Sequence, residues 1–128
     1  SIIVQVMKRM IFADYPRPSK FFEKELDIHV IDGLELHSFF SFPSGHSSGA
    51  FAVFVILAIV SKNQLMVFVY FLLAFLVALS RVYLLQHFFL DTFAGAWIAI
   101  VCAFLTYYYL EFKSNLPQKA ILQKPLLK

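Results

Sequence analysis

Three stretches without a charged side chain dominate this chain. They are "HSSGAFAVFVILAIVS" (46–61), "QLMVFVYFLLAFLVALS" (64–80) and "TFAGAWIAIVCAFLTYYYL" (92–110). A helix crosses a bilayer core with about 20 apolar residues, and roughly 17 can suffice. The third stretch meets this length, and the first two reach it with their flanks. None contains proline, and in lipid a helix satisfies its own backbone groups. Tyr107, Tyr108 and Tyr109 close the last stretch as an interfacial aromatic belt would. The composition agrees: 60% of residues are hydrophobic, only 15% are charged, and sixteen are Phe. A soluble helical bundle of this size does not need so much apolar surface. The predicted fold class is all-α, a polytopic membrane helical bundle.

The 128 residues predict one domain, 1–128. The opening "SIIVQVMKRMIF" reads as the end of an earlier apolar helix, so the chain is expected to lack N-terminal helices. Residues 13–43 form a long polar connection that holds most of the acidic residues. Helices over about 46–61, 64–80 and 90–110 follow, then a basic tail, 111–128. Counting crossings places the 13–43 and 81–89 loops at one membrane face. The "SKNQ" turn and the tail lie at the other, with Lys62, Lys113, Lys119, Lys124 and Lys128. Basic residues in short loops mark the cytoplasmic side. The first face is therefore expected outside the cytoplasm, although it also holds Arg17, Lys20, Lys24 and Arg81. The tail fits a topology signal better than attraction to anionic lipid. Cys102 lies inside an apolar stretch and reads as buried filler. The net charge of +3 is dispersed, with no basic-aromatic surface, which excludes a nucleic-acid partner.

The polar residues of that first face are the candidate site. "PSGH" (43–46) stands at the start of a membrane helix. Free N–H groups and a positive dipole end suit an anion there. Gly45 lets a ligand approach the backbone, and Ser44 can cap the helix or donate to a phosphate oxygen. Ordinary capping explains the same residues equally well. The segment "SRVYLLQHFFLD" (80–91) adds weight. His87 and Asp91 are four residues apart, which on a helix is one face. A carboxylate accepting one imidazole N–H leaves the other nitrogen free to attack. Arg81 offers a planar fork for phosphate oxygens. A metal is the competing use of a His–Asp pair, but no third ligand stands at helical spacing and the companions are basic. Lys8, Arg9 and Arg17 also lie on this face, and Pro16 and Pro18 stiffen the backbone around Arg17. Cations, a helix N-terminus and two histidines suit phosphoryl transfer, which needs positioning and charge neutralisation.

This arrangement resembles the type 2 phosphatidic acid phosphatase (PAP2) superfamily, which includes bacterial acid phosphatases and vanadium haloperoxidases. The family's second motif, Pro-Ser-Gly-His, appears as Pro43, Ser44, Gly45 and His46. Its third, Ser-Arg-x5-His-x3-Asp, appears as Ser80, Arg81, His87 and Asp91. The first, Lys-x6-Arg-Pro, matches in part. Arg17 and Pro18 supply its end, but Met10 stands where the lysine belongs. A two-residue insertion assigns the role to Lys8, with Arg9 as the substitute.

The resemblance implies a membrane-embedded lipid phosphatase acting through a phosphohistidine. His87 is then the nucleophile, Asp91 orients it, and His46 protonates the leaving oxygen. Lys8, Arg17, Ser44, Gly45 and Arg81 hold the phosphate oxygens. No metal and no cofactor are expected. The implied partners are membrane lipid and a lipid phosphate or pyrophosphate: phosphatidate, phosphatidylglycerol phosphate, undecaprenyl pyrophosphate or lipid A phosphate. The oligomeric state is not readable. Residues 19–40 are the expected source of selectivity, with Phe21, Phe22 and Leu26 toward lipid and His29 and His37 as ordinary loop residues. Two alternatives stand: a non-catalytic membrane scaffold with a relic phosphate site, and a haloperoxidase-like enzyme. The apolar helices disfavour the latter.

Overall fold

The computed structural model describes residues 2–22 and 38–122, with side chains as far as residue 113. Leu26, His29, His37 and the end of the basic tail lie outside the described residues. Every described regular element is a helix: α1 (Ile2–Met10), α2 (Pro18–Phe21), α3 (Gly45–Val60), α4 (Gln64–Tyr83) and α5 (Phe89–Leu122). The all-α expectation holds. Two helices run past their expected ends. α4 continues beyond 80 to Tyr83. The last helix does not stop near 110 but runs on to Leu122. The first apolar stretch makes a helix of 16 residues. That is about 24 Å of rise against a hydrocarbon core of about 30 Å. Two helical segments, Gln64–Tyr83 and Phe89–Lys113, are long and apolar enough to cross a membrane.

Two helix caps shape the bundle. Ser44 caps α3, its hydroxyl oxygen accepting the Ser47 N–H. Asn63 caps α4 by accepting the Leu65 N–H at 2.9 Å, which makes the turn after α3 short. α3 then lies along both α4 and α5, which touch each other less.

The packing is inverted relative to a soluble protein. The residues buried between the helices are mostly alanines: Ala74 and Ala78 of α4, and Ala96, Ala99 and Ala103 of α5. Phe51 of α3 is the large exception. The bulky side chains Phe68, Leu72, Phe75, Leu76, Phe93, Trp97 and Phe104 face outward. Small residues let helix backbones approach closely, and in lipid the large apolar groups lose nothing by pointing away. An aqueous protein would expose a very large apolar patch by this arrangement. The outward surface is that of a membrane protein.

Two aromatic clusters tie the N-terminal segment to the top of the bundle. Phe12 meets Phe42 edge-on at 4.7 Å between ring centroids, with Tyr15 beside both. Phe21 and Phe22 pack on Phe88 at 6.0 and 6.4 Å. The two phenylalanines expected to face lipid therefore also hold α2 against the turn before α5. Arg17 is buried between these clusters.

Candidate active site

The site begins where α4 ends. Leu85 takes a left-handed backbone, φ 54°, uncommon for a residue with a branched side chain. The Gln86 N–H then reaches back to the Arg81 carbonyl at 3.1 Å, and the Leu85 N–H to the Val82 carbonyl at 3.0 Å. This is a Schellman motif with leucine where glycine is usual. It reverses the chain and carries His87 under the end of α4, 1% exposed. The same turn brings the Gln86 side chain to Arg81, whose Nη1 donates to Gln86 Oε1 at 3.1 Å. The Arg81 Nε–H donates to Ser80 Oγ at 3.2 Å, so the guanidinium is held at two points.

His87 precedes α5, which starts at Phe89. The His–Asp pair therefore does not share a helix face, as its spacing predicted. Asp91 stands in the first turn of α5, and its Oδ2 accepts the Phe88 N–H at 2.9 Å. That is one half of a capping box. The helix cap aims the carboxylate back at the turn, leaving Oδ2 at 3.6 Å from His87 Nδ1. This separation exceeds a hydrogen bond, so the contact is electrostatic and Nδ1 has no bonded partner among the described residues. The same oxygen accepts the Ser41 hydroxyl, and Ser41 is fully buried.

α3 meets α5 at its N-terminus. The Ser44 N–H donates to the Asp91 carbonyl at 2.9 Å, and the Ser47 hydroxyl donates to the Thr92 carbonyl at 2.8 Å. The approach is close enough to require Gly95. A Cβ there would stand 2.5 Å from the Ser44 carbonyl oxygen, a distance side chains do not tolerate. Gly45 differs, since a Cβ on it would meet no protein atom within 4 Å. Packing does not demand glycine at that position, whereas close approach by a ligand would. Ser44 is buried, caps α3 with its hydroxyl and spends its N–H on α5. His46, one turn position further, is exposed.

The cations complete the site. Arg17 is pinned by its own N–H to the Ser38 carbonyl at 3.1 Å and by Nε to the Phe39 carbonyl at 3.0 Å. Lys8 is half-buried and lies within electrostatic reach of Arg17 and Asp91. Lys8 and Arg17 act on His87, and both, with Arg81 and His87, act on His46. Burial holds the His87 imidazole below the ordinary histidine value of 6.5. Lys8 and Arg17 add to this, against the pull of Asp91. The residues singled out in all three motifs thus converge at one end of the bundle. Of the two choices for the first motif, Lys8 faces this cluster, while Arg9 is exposed beside it.

Ser41, Gln86 and Gly95 were not singled out by the sequence reading. Gly95 carried a signal, a glycine inside an apolar helix that helix propensity disfavours. Ser41 and Gln86 carried none.

A sequence profile described as the PAP2 superfamily matches residues 1–115. The chain belongs to the PAP2 superfamily. A relative named phosphatidylglycerophosphatase B, from Bacillus subtilis (strain 168), is 39% identical over 77 residues, covering 53% of this chain. The match spans 38% of that protein's length. No solved structure matches the chain significantly. The helical architecture agrees with the helical membrane fold of the PAP2 superfamily.

Proposed function

We propose that this protein is a multi-pass membrane lipid phosphatase that works through a phosphohistidine, with phosphatidylglycerol phosphate as the favoured substrate. One observation carries the reading. A buried imidazole stands beside a doubly held carboxylate at the end of the bundle where Lys8, Arg17 and Arg81 gather. The name of the Bacillus subtilis relative supports the substrate.

The reaction has two displacements. His87 Nε2 attacks phosphorus, an N–P bond forms, and the P–O bond to the lipid breaks. The leaving oxygen takes a proton from His46, which stands exposed at the start of α3. Asp91 stabilises the positive charge that develops on His87. Water then attacks phosphorus and the N–P bond breaks, releasing phosphate and restoring His87, with His46 accepting the water's proton. Arg81, Arg17 and Lys8 neutralise the phosphate oxygens throughout, and Gly45, where a Cβ would meet no protein atom within 4 Å, leaves its backbone open to approach. Lys62 in the turn after α3 and Lys113 on α5 lie toward the other end of the bundle, which supports a site on the extracytoplasmic face.

The test is phosphate release from lipid in mixed micelles, with EDTA present, for wild type and His87→Ala. Release that is lost in the variant supports the reading. Release that survives His87→Ala, or a folded wild type that hydrolyses no lipid phosphate, overturns it.

A further inference from the structure

The cluster that faces His87 accounts for Lys8 and Arg17 but leaves Arg9 unused. A cavity of about 680 Å³ opens beside the cluster, lined by Lys8, Arg9 and Arg17 together with Gln5 and Phe39. No acidic side chain lines it among the described residues. Lys20, outside the lining, stacks on one of its residues, its Nζ 3.9 Å from the Phe39 ring centroid. A space lined by three cations, with no carboxylate among its described lining residues, attracts anions.

Arg9 and Gln5 also line a second depression, whose remaining walls are Ile2, Val6 and Met10. All three of those side chains are exposed. The charged cavity and this apolar face of α1 share Gln5 and Arg9, so Arg9 stands where the two adjoin. That sequence of chemistry matches a glycerolipid: reacting phosphate at Lys8 and Arg17, a second anion at Arg9, and an acyl chain along Ile2, Val6 and Met10.

We propose that Arg9, with Gln5, forms a second anion subsite that recognises the non-reacting phosphodiester of a glycerolipid carrying both a phosphodiester and a terminal phosphomonoester. This rests on the catalytic reading above. Successive helix positions point roughly 100° apart, so Lys8 and Arg9 carry their charges to different places. Two phosphates are better placed than one to meet both. The adjacent phosphorus atoms of a pyrophosphate suit this divergence less than two phosphates separated by glycerol. Guanidinium is also the better group for a phosphodiester, since its fork engages two oxygens at once.

The experiment compares three substrates in mixed micelles: phosphatidylglycerol phosphate, phosphatidate and an isoprenoid pyrophosphate. kcat/KM is measured for wild type, Arg9→Gln, Arg9→Glu and Arg9→Lys. Arg9→Gln is expected to lower the ratio of phosphatidylglycerol phosphate to phosphatidate about tenfold, mostly through KM. Arg9→Glu is expected to lower it further, and Arg9→Lys to restore part of it. The ratio against the pyrophosphate should fall in the same order. An unchanged ratio, or an equal loss on all three lipids, overturns the subsite. If His87→Ala still releases phosphate, the catalytic reading has failed instead, whatever Arg9 does.

Discussion

The middle and the site end of this bundle are built on opposite principles. Midway along the helices the buried residues are mostly alanines, with Phe51 the exception, and the contacts between helices are close and undirected. At the site end the buried polar residues Arg17, Ser41, Ser44, Ser47, Gln86, Asp91 and Thr92 are joined by directed hydrogen bonds, while the Ser48 hydroxyl and His87 Nδ1 have no bonded partner among the described residues. Small-residue packing tolerates rotation and sliding of one helix on another. A hydrogen-bonded network does not, because each donor has a single acceptor in the right place. The mid-bundle holds the helices together, and the site end sets their register. Gly95 joins the two, being a small residue of the packing kind placed where a backbone carbonyl of the site end must rest.

This contrast makes separable predictions. His87→Ala should reduce phosphate release by roughly 10³-fold or more while leaving the helical circular dichroism signal intact, since the nucleophile is lost. Gly95→Ala should damage both properties. Its Cβ displaces the start of α3, costing about 1–3 kcal/mol of stability, and thermal unfolding in detergent should show this together with lost activity. Full activity in that variant would mean that α3 and α5 need not touch as closely as they do.

Ser41→Ala should lower kcat by about 10- to 100-fold with KM little changed, as expected for a lost hydrogen bond to a charged group. The hydroxyl touches neither phosphate nor His87; it holds the Asp91 oxygen that faces the imidazole. A loss confined to KM would place Ser41 in substrate binding. Ala74→Leu, in the mid-bundle, should lower the unfolding temperature by the overpacking cost of about 1–3 kcal/mol while kcat is retained. An equal loss of kcat would erase the division between the mid-bundle and the site end.

The smallest effect concerns pH. His87 attacks as the neutral imidazole, and its value lies below 6.5 in the folded protein. Activity should therefore persist as pH falls to 6.5 and decline only below it. Lys8→Gln removes a positive charge that depresses this value, so its acid limb should move to higher pH. Comparing the two proteins on one substrate cancels the substrate's own titration. An acid limb unmoved in Lys8→Gln would show that Lys8 does not act on His87.

Much of this was legible in the chain alone. Charge-free apolar stretches specify helices because a backbone in lipid has no other partner for its polar groups. His87, Asp91 and Arg81 were readable as a phosphoryl-transfer set from their chemistry and their place at helix ends, whereas the roles of Arg17, Ser44, Gly45 and His46 came from the resemblance to the PAP2 motifs. What required the tertiary structure lies across space. Asp91 takes the hydroxyl of Ser41, fifty positions away in the chain. Gly95 is small because Ser44 lies on it. His87 reaches Asp91 through a left-handed turn at Leu85, where local preference favours glycine and neighbouring contacts prevail. Helix formation is written in nearest neighbours along the chain. Which oxygen meets which hydroxyl depends on how whole helices pack, and no local pattern carries that information.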